Sequence, residues 1–313
     1  MTRAFVYPGQ GSQAVGMGQE LASAFAVAKQ LFEEVDEALG QPLTKLMFEG
    51  PEEELTLTAN AQPALMAVSL AIMRILESEG GLAIGDTAKF VAGHSLGEYS
   101  ALTAAKAFGV TEAARILKIR GTAMQEAVPV GEGTMAALMG VEMDVAEEIA
   151  AEAAQGEICT AANDNASGQI VLSGATAAIE RALEIATDKG AKRSILLPVS
   201  APFHCAMMAP AADVMADELA AFLIDEPIIP VVANVTADAQ SAPDEIRRLL
   251  VEQVTARVRW RESVLFMKEN GVDTLVEIGT GKVLTGLTRR IDRDLNGVSI
   301  QTPEDIEEFL KTL

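Results

Sequence analysis

Apolar positions in this chain form short uninterrupted runs, separated by longer stretches with helical spacing, as expected for strands buried between helices. Arg3–Tyr7 is the first such run, and it stops at the glycine-rich loop Pro8-Gly9-Gln10-Gly11-Ser12-Gln13. Helical periodicity predicts helices at about Gln19–Leu39 and Pro63–Ser78. A second short strand, Lys89–Gly93, leads into His94-Ser95. Helices follow at Leu96–Ala107 and from Thr111-Glu112 to about Val128. The character changes near Pro129–Gly133. From there to Pro198 the order is strand, helix, strand, strand, helix, strand. The strands are predicted at Met135–Met139, Glu157–Ala161, Gln169–Ser173 and Arg193–Leu197, and the helices at Asp144–Ala154 and Ala175–Lys189. That order is a split βαβ, ferredoxin-like α+β module. An α/β pattern then resumes, with strands near Ile229–Val232 and Thr274–Ile278. The expectation is an α/β fold: a discontinuous large domain, residues 1–128 and 199–313, carrying a ferredoxin-like subdomain at 129–198.

Composition narrows the class. Nearly half of the 313 residues are hydrophobic but only 4% are aromatic, so aliphatic and small side chains must fill the core. The net charge of −21 argues against a nucleic-acid partner. An acidic protein partner would also be repelled, unless positive charge is concentrated where the two meet. Basic residues do gather late, at Arg257, Arg259 and Arg261, then Lys282, Arg289, Arg290 and Arg293. Singly each reads as a solvated helix face; together they form the candidate docking set. Two cysteines, Cys159 and Cys205, point to a reducing compartment rather than a disulfide framework. The opening apolar run is too short for a signal-peptide core, and no segment approaches about 18 uninterrupted apolar residues. The expected setting is cytoplasmic, with no membrane.

The chemistry centres on Gly93-His94-Ser95-Leu96-Gly97-Glu98, a G-x-S-x-G between a predicted strand and a predicted helix. That context is the nucleophile elbow, in which flanking glycines permit a tight turn that lifts the serine hydroxyl to a helix N-terminus. The Leu96 backbone N–H then faces the space where an oxyanion would develop. A serine needs a base, and only two histidines are available. His94 adjoins the serine, and neighbours in a sharp turn point apart, so it is assigned a local shaping role. His204, in Ala201-Pro202-Phe203-His204, is distant in sequence, the usual arrangement of a serine–histidine pair. Cys205 reads as a small buried thiol. Two loops resemble nucleotide motifs without completing them. Gly9 and Gly11 are followed by Ala14, and Gly279-Thr280-Gly281-Lys282 is followed by Val283 in place of Ser or Thr. No cluster has metal-ligand spacing, and neither a metal nor a cofactor is expected.

These pieces, with Arg120 in Lys118-Ile119-Arg120-Gly121, Gln253, and Glu277-Ile278-Gly279-Thr280-Gly281-Lys282, resemble the malonyl-CoA:acyl carrier protein transacylase family. They occur in the family's order and cover nearly the whole chain. The resemblance implies a hydrolase-like α/β domain with an inserted ferredoxin-like subdomain. It also implies malonyl transfer from malonyl-CoA to acyl carrier protein, with fatty acid synthesis the expected pathway. Ser95 would be the nucleophile and His204 the general base. Gln10 and the Leu96 amide would form the oxyanion hole. Arg120 would hold the malonyl carboxylate, and Gln253 would orient His204 through its backbone carbonyl. Phe203 matches the malonyl-selective pattern, its ring leaving little room for an α-methyl branch. A serine esterase or thioesterase using the same elbow, and a non-catalytic nucleotide-binding module, are the competing readings.

Overall fold

A computed structural model of the protein describes residues 1–199 and 201–313; Ser200 lies outside the described residues. The strands are β1 (Arg3–Tyr7), β2 (Ala88–Gly93), β3 (Gly133–Met139), β4 (Cys159–Ala166), β5 (Gln169–Ala175), β6 (Arg193–Leu196), β7 (Val231–Val232), β8 (Ala239–Gln240), β9 (Thr274–Ile278) and β10 (Asn296–Ile300). They form two sheets. The larger has the order β10-β9-β1-β2-β7-β8, parallel throughout except for β8. Ala4, Phe5, Val6 and Tyr7 are fully buried because helices cover both faces of a parallel sheet. Tyr7 and Gly93, the last residues of β1 and β2, are register partners. The glycine loop and the serine turn therefore leave the sheet side by side at its carboxyl edge, where open α/β sheets place their sites.

The second sheet is antiparallel, in the order β4-β5-β3-β6. This is the arrangement a split βαβ unit requires. Alternation along β3 explains how it joins the whole. Ala136 and Leu138 face a separate small core with helices Met143–Ala154 and Thr176–Asp188, whereas Met135 and Ala137 join the main core. Helix Thr58–Gly80 is long and apolar enough to cross a membrane, but most of it is buried inside this protein. An all-round apolar surface suits a central core helix.

Some element boundaries differ from the periodicity. The helix predicted at Gln19–Leu39 is broken by Phe25 in extended conformation, giving helices Gln19–Ala24 and Ala26–Leu39. The strand predicted at Glu157–Ala161 starts at Cys159 and continues to Ala166. Its polar residues are accommodated: the Asp164 N–H donates to the Val258 carbonyl, and its carboxylate pairs with Arg261 at 2.9 Å. The strand expected near Ile229 is only Val231–Val232, and the edge strands β8 and β10 gave no clear apolar run.

Candidate active site

Ser95 follows β2 with φ of 54°, the left-handed region that costs a non-glycine residue about 1–3 kcal/mol. Both flanking glycines are required by close approach. A Cβ on Gly93 would lie 1.9 Å from the Gly97 carbonyl, and one on Gly97 would lie 2.3 Å from the Tyr7 oxygen. Asn234 ties the strained turn in place. Its Oδ1 accepts from the Ser95 N–H at 2.8 Å, its Nδ2 donates to the Gly93 carbonyl at 2.7 Å, and its own N–H donates to Glu98 Oε2 at 3.0 Å. The turn hands over to helix Gly97–Ala104, with Leu96 at its N-cap.

His204 stands opposite on the loop after β6, also at positive φ (59°). Its Nε2 is 2.8 Å from Ser95 Oγ, and its Nδ1 is 2.9 Å from the Gln253 carbonyl. A carbonyl oxygen only accepts, so Nδ1 carries the proton. In the neutral ring, Nε2 then accepts from the serine hydroxyl. Burial, helped by the positive charge of Arg120, lowers the His204 pKa to about 3, so the ring is neutral at ordinary pH.

Arg120 projects from helix Val110–Glu126 and is 1% exposed. Its Nη1 donates to Gln62 Oε1 at 2.7 Å, and its Nη2 donates to Gln253 Oε1 at 2.8 Å and to Ser95 Oγ at 3.2 Å. The Tyr99 ring lies beneath the guanidinium, 5.5 Å from its centre. The Gln253 amide nitrogen donates in turn to the Ser95 carbonyl at 3.0 Å and to Glu98 Oε2 at 2.8 Å. Glu98 is buried too. Desolvation raises its pKa to about 7 against the opposing hydrogen bonds from Asn234 and Gln253 and the charge of Arg120.

Ser95, His204, Arg120 and Gln62 line a cavity of about 790 Å3, which Gln10, Leu96, Phe203 and His94 also border. The Gln10 side chain is engaged by Thr58: Nε2 donates to Thr58 Oγ1 at 3.2 Å. His94 Nε2 lies 2.8 Å from Asn165 Oδ1, and its ring packs near Trp260. Cys205 is buried, and its Sγ donates to the Pro202 carbonyl. Ser95, His204, Arg120 and Gln253 are thus brought into one hydrogen-bonded set, with Gln10, Leu96 and Phe203 at its border. Asn234, Glu98 and Gln62 were missed. Glu98 directly follows the elbow, and its place in the turn motif was the one available signal.

The basic candidates divide. Arg257 pairs with Glu147, Arg259 with Glu262 and Arg261 with the buried Asp164, while Arg290 donates to Gln169. Lys282, Arg289, Arg290 and Arg293 are exposed. Among the described residues no group of three His, Cys, Asp or Glu side chains is positioned to hold a metal ion.

The fold and the serine–histidine turn have a counterpart among known proteins: the acyl transferase domain matches residues 4–299, and the chain belongs to that family. It is 44% identical over 311 residues to the malonyl CoA-acyl carrier protein transacylase of Bacillus subtilis, covering 99% of this chain and 96% of that one. It superposes on the crystal structure of acyl-carrier-protein-S-malonyltransferase from Bartonella henselae with a TM-score of 0.97 at 55% identity, covering 100% of this chain and 99% of the other. A malonyl-transacylase solved in complex with a type II PKS acyl-carrier protein also matches, with a TM-score of 0.97 at 43% identity over the whole of both chains. The family expected from the sequence motifs is the family found.

Proposed function

We propose that this chain transfers malonyl groups from coenzyme A to the phosphopantetheine thiol of acyl carrier protein through a malonyl ester on Ser95, serving fatty acid biosynthesis. The position of the Ser95 hydroxyl carries this reading: it lies 2.8 Å from His204 Nε2 and 3.2 Å from Arg120 Nη2. A nucleophile and base beside a buried guanidinium suit an acyl group that ends in a carboxylate.

His204 takes the Ser95 proton as Oγ bonds to the thioester carbon. The Leu96 and Gln10 backbone N–H groups stabilise the resulting oxyanion, the Gln10 side chain being held by Thr58. The carbon–sulfur bond breaks, and His204 passes its proton to the departing coenzyme A sulfur. The carrier thiol then repeats the sequence on the malonyl ester, giving up its proton through His204 and restoring the serine hydroxyl. Arg120 holds the carboxylate in both halves, and Gln253 fixes the His204 tautomer. Substrate also tunes the base. A carboxylate on Arg120 offsets the positive charge that, after burial, most depresses His204, strengthening it once the substrate is bound. The acyl group arrives activated as a thioester, so no step calls for a cofactor.

For the carrier, Lys282, Arg289 and Arg290 are better docking candidates than Arg257, Arg259 and Arg261, whose charges are matched internally. The relative solved with a carrier protein supports the partner class. Two buried, unpaired cysteines suit a cytoplasmic setting. Residues 1–128 and 199–313 act as the catalytic domain, and 129–198 as a subdomain with its own small core.

Intact mass after brief exposure to malonyl-CoA, with peptide mapping, tests the reading. A single adduct on Ser95 that discharges onto carrier protein is expected. An adduct lost equally fast to buffer would make the chain a thioesterase, and no adduct on folded protein would overturn the proposal.

A further inference from the structure

Glu98 has no part in the steps above, yet it is a buried carboxyl bound to two parts of the site. One of its oxygens, Oε2, accepts from the Asn234 N–H, which belongs to the residue that holds the Ser95 turn, and from Gln253 Nε2. On its far side the same Gln253 amide accepts from Arg120. The order is therefore carboxyl, amide, guanidinium, with the amide N–H end toward the negative group and its oxygen toward the positive one. Among the described residues, the charged or titratable groups facing Glu98 are Arg120, from helix Val110–Glu126, and Tyr99, from its own helix. The segments carrying Asn234 and Gln253 present amide groups to it.

From this geometry we infer that Glu98 is a positioning residue that balances the charge of Arg120 in the empty site and takes up a proton when the malonyl carboxylate arrives. The inference rests on malonylation of Ser95. A buried cation needs a nearby anion, and in the empty enzyme Glu98 is the anion within reach through Gln253. A malonyl carboxylate seated on the guanidinium supplies a second. Two carboxylates sharing one cation repel, and the one without a direct bond to it gives up its charge. Because burial already holds Glu98 at about 7, a modest further push changes its protonation near neutral pH. Acylation itself is proton-neutral: the serine proton leaves on the coenzyme A sulfur. Any net uptake therefore belongs to the protein. The hydrogen bonds survive the change, since a protonated carboxyl keeps one oxygen as acceptor for Asn234 and Gln253.

The test loads the whole protein with malonyl-CoA near neutral pH, following proton release with an indicator dye and carboxyl stretches by infrared difference spectroscopy. A carbon-labelled malonyl group shifts its own ester and carboxylate bands away. Expected is uptake of a fraction of a proton per acyl-serine, together with a new protonated-carboxyl band from the protein. The band also separates Glu98 from His204, whose protonation would give uptake without it. Glu98→Gln, which keeps the acceptor oxygen and removes the charge, should abolish both signals and lower the KM for malonyl-CoA. The KM falls because the substrate carboxylate becomes the sole partner of Arg120. A purely structural brace would leave KM unchanged or raise it. Intact mass on the same sample separates the two readings. An adduct without the band, or a band persisting in folded Glu98→Gln, overturns this inference alone, whereas no adduct removes the malonyl reading as well. Should Glu98→Gln fail to fold, the native protein's dye and infrared signals decide.

Discussion

Arg120 Nη2 donates to Gln253 Oε1 at 2.8 Å, while the main-chain carbonyl of that same Gln253 accepts from His204 Nδ1 at 2.9 Å. One residue aims both the guanidinium and the imidazole. It does so with neutral groups, so no second anion stands directly behind the base, where it would repel a substrate carboxylate.

Removing the guanidinium should therefore cost recognition before it costs chemistry. For Arg120→Ala, kcat/KM with malonyl-CoA is expected to fall by about 2–5 kcal/mol of binding, the cost of leaving a buried carboxylate unpaired. Transfer from acetyl-CoA, which has no carboxylate to hold, should change far less. Arg120→Lys restores charge but not the forked geometry that meets Gln62 and Gln253 together, so it should rescue only partly. Equal losses for both thioesters would remove Arg120 from the clamp.

Gln253→Ala separates the two duties of its residue. The backbone carbonyl to His204 remains, but Arg120, Glu98 and the Ser95 carbonyl each lose a partner. Unpaired buried polar groups cost about 1–3 kcal/mol each. The expected outcome is a lowered Tm and a raised KM for malonyl-CoA, with a smaller drop in kcat. A kcat loss as large as that of His204→Ala would mean that the side chain, not the carbonyl, holds the base.

What the sequence made legible was local. Gly93, Ser95 and Gly97 announce the turn because all three fall within five residues, although the close approach that requires Gly97 is to Tyr7 of β1. The order of strands and helices between 129 and 198 announces the second sheet because it depends on period alone. Asn234 and Gln62 stayed hidden because their partners lie 139 and 58 residues away, and ordinary amides have no pattern around them. The pairing of Arg257 and Arg261 stayed hidden for the same reason. Nothing local shows that Glu147 and Asp164 reach Arg257 and Arg261 from the second sheet's unit. Phe25 breaks a helix whose apolar spacing runs straight through it, since tertiary packing outweighs a weak local preference.

His204 and Glu98, both buried, give opposite slopes to stability against pH. His204 is held at about 3, below its ordinary 6.5, so the unfolded chain binds more protons between those values. Its contribution is complete above pH 6.5 and is lost as pH falls toward 3. Glu98 is held at about 7, above 4.5, so the folded chain binds more protons there, and its contribution is complete below 4.5 and lost as pH rises through 7. Between about 4.5 and 6.5 the two offset each other. Urea unfolding across this range should show a shallow slope in the native protein. Glu98→Gln should show stability rising more steeply with pH, and His204→Ala stability falling with it. Unchanged slopes in both variants would remove these groups as the source.

On the proposed reading, Phe203 should set how much room the acyl group has. It is 7% exposed, borders the cavity, and immediately precedes His204. A methyl branch on the malonyl α-carbon would have to share that space. Rejecting one extra methyl is worth about 1–3 kcal/mol, so malonyl should be preferred over methylmalonyl by roughly 10- to 200-fold in kcat/KM. Phe203→Leu keeps an apolar wall while shortening it, and should bring the two thioesters within a few-fold, chiefly by raising the methylmalonyl rate. Parallel assays with both substrates, on native protein and variant, decide. Comparable values in the native protein would show that the ring does not face the branch, and an unchanged ratio in Phe203→Leu would move the selectivity to another wall of the cavity.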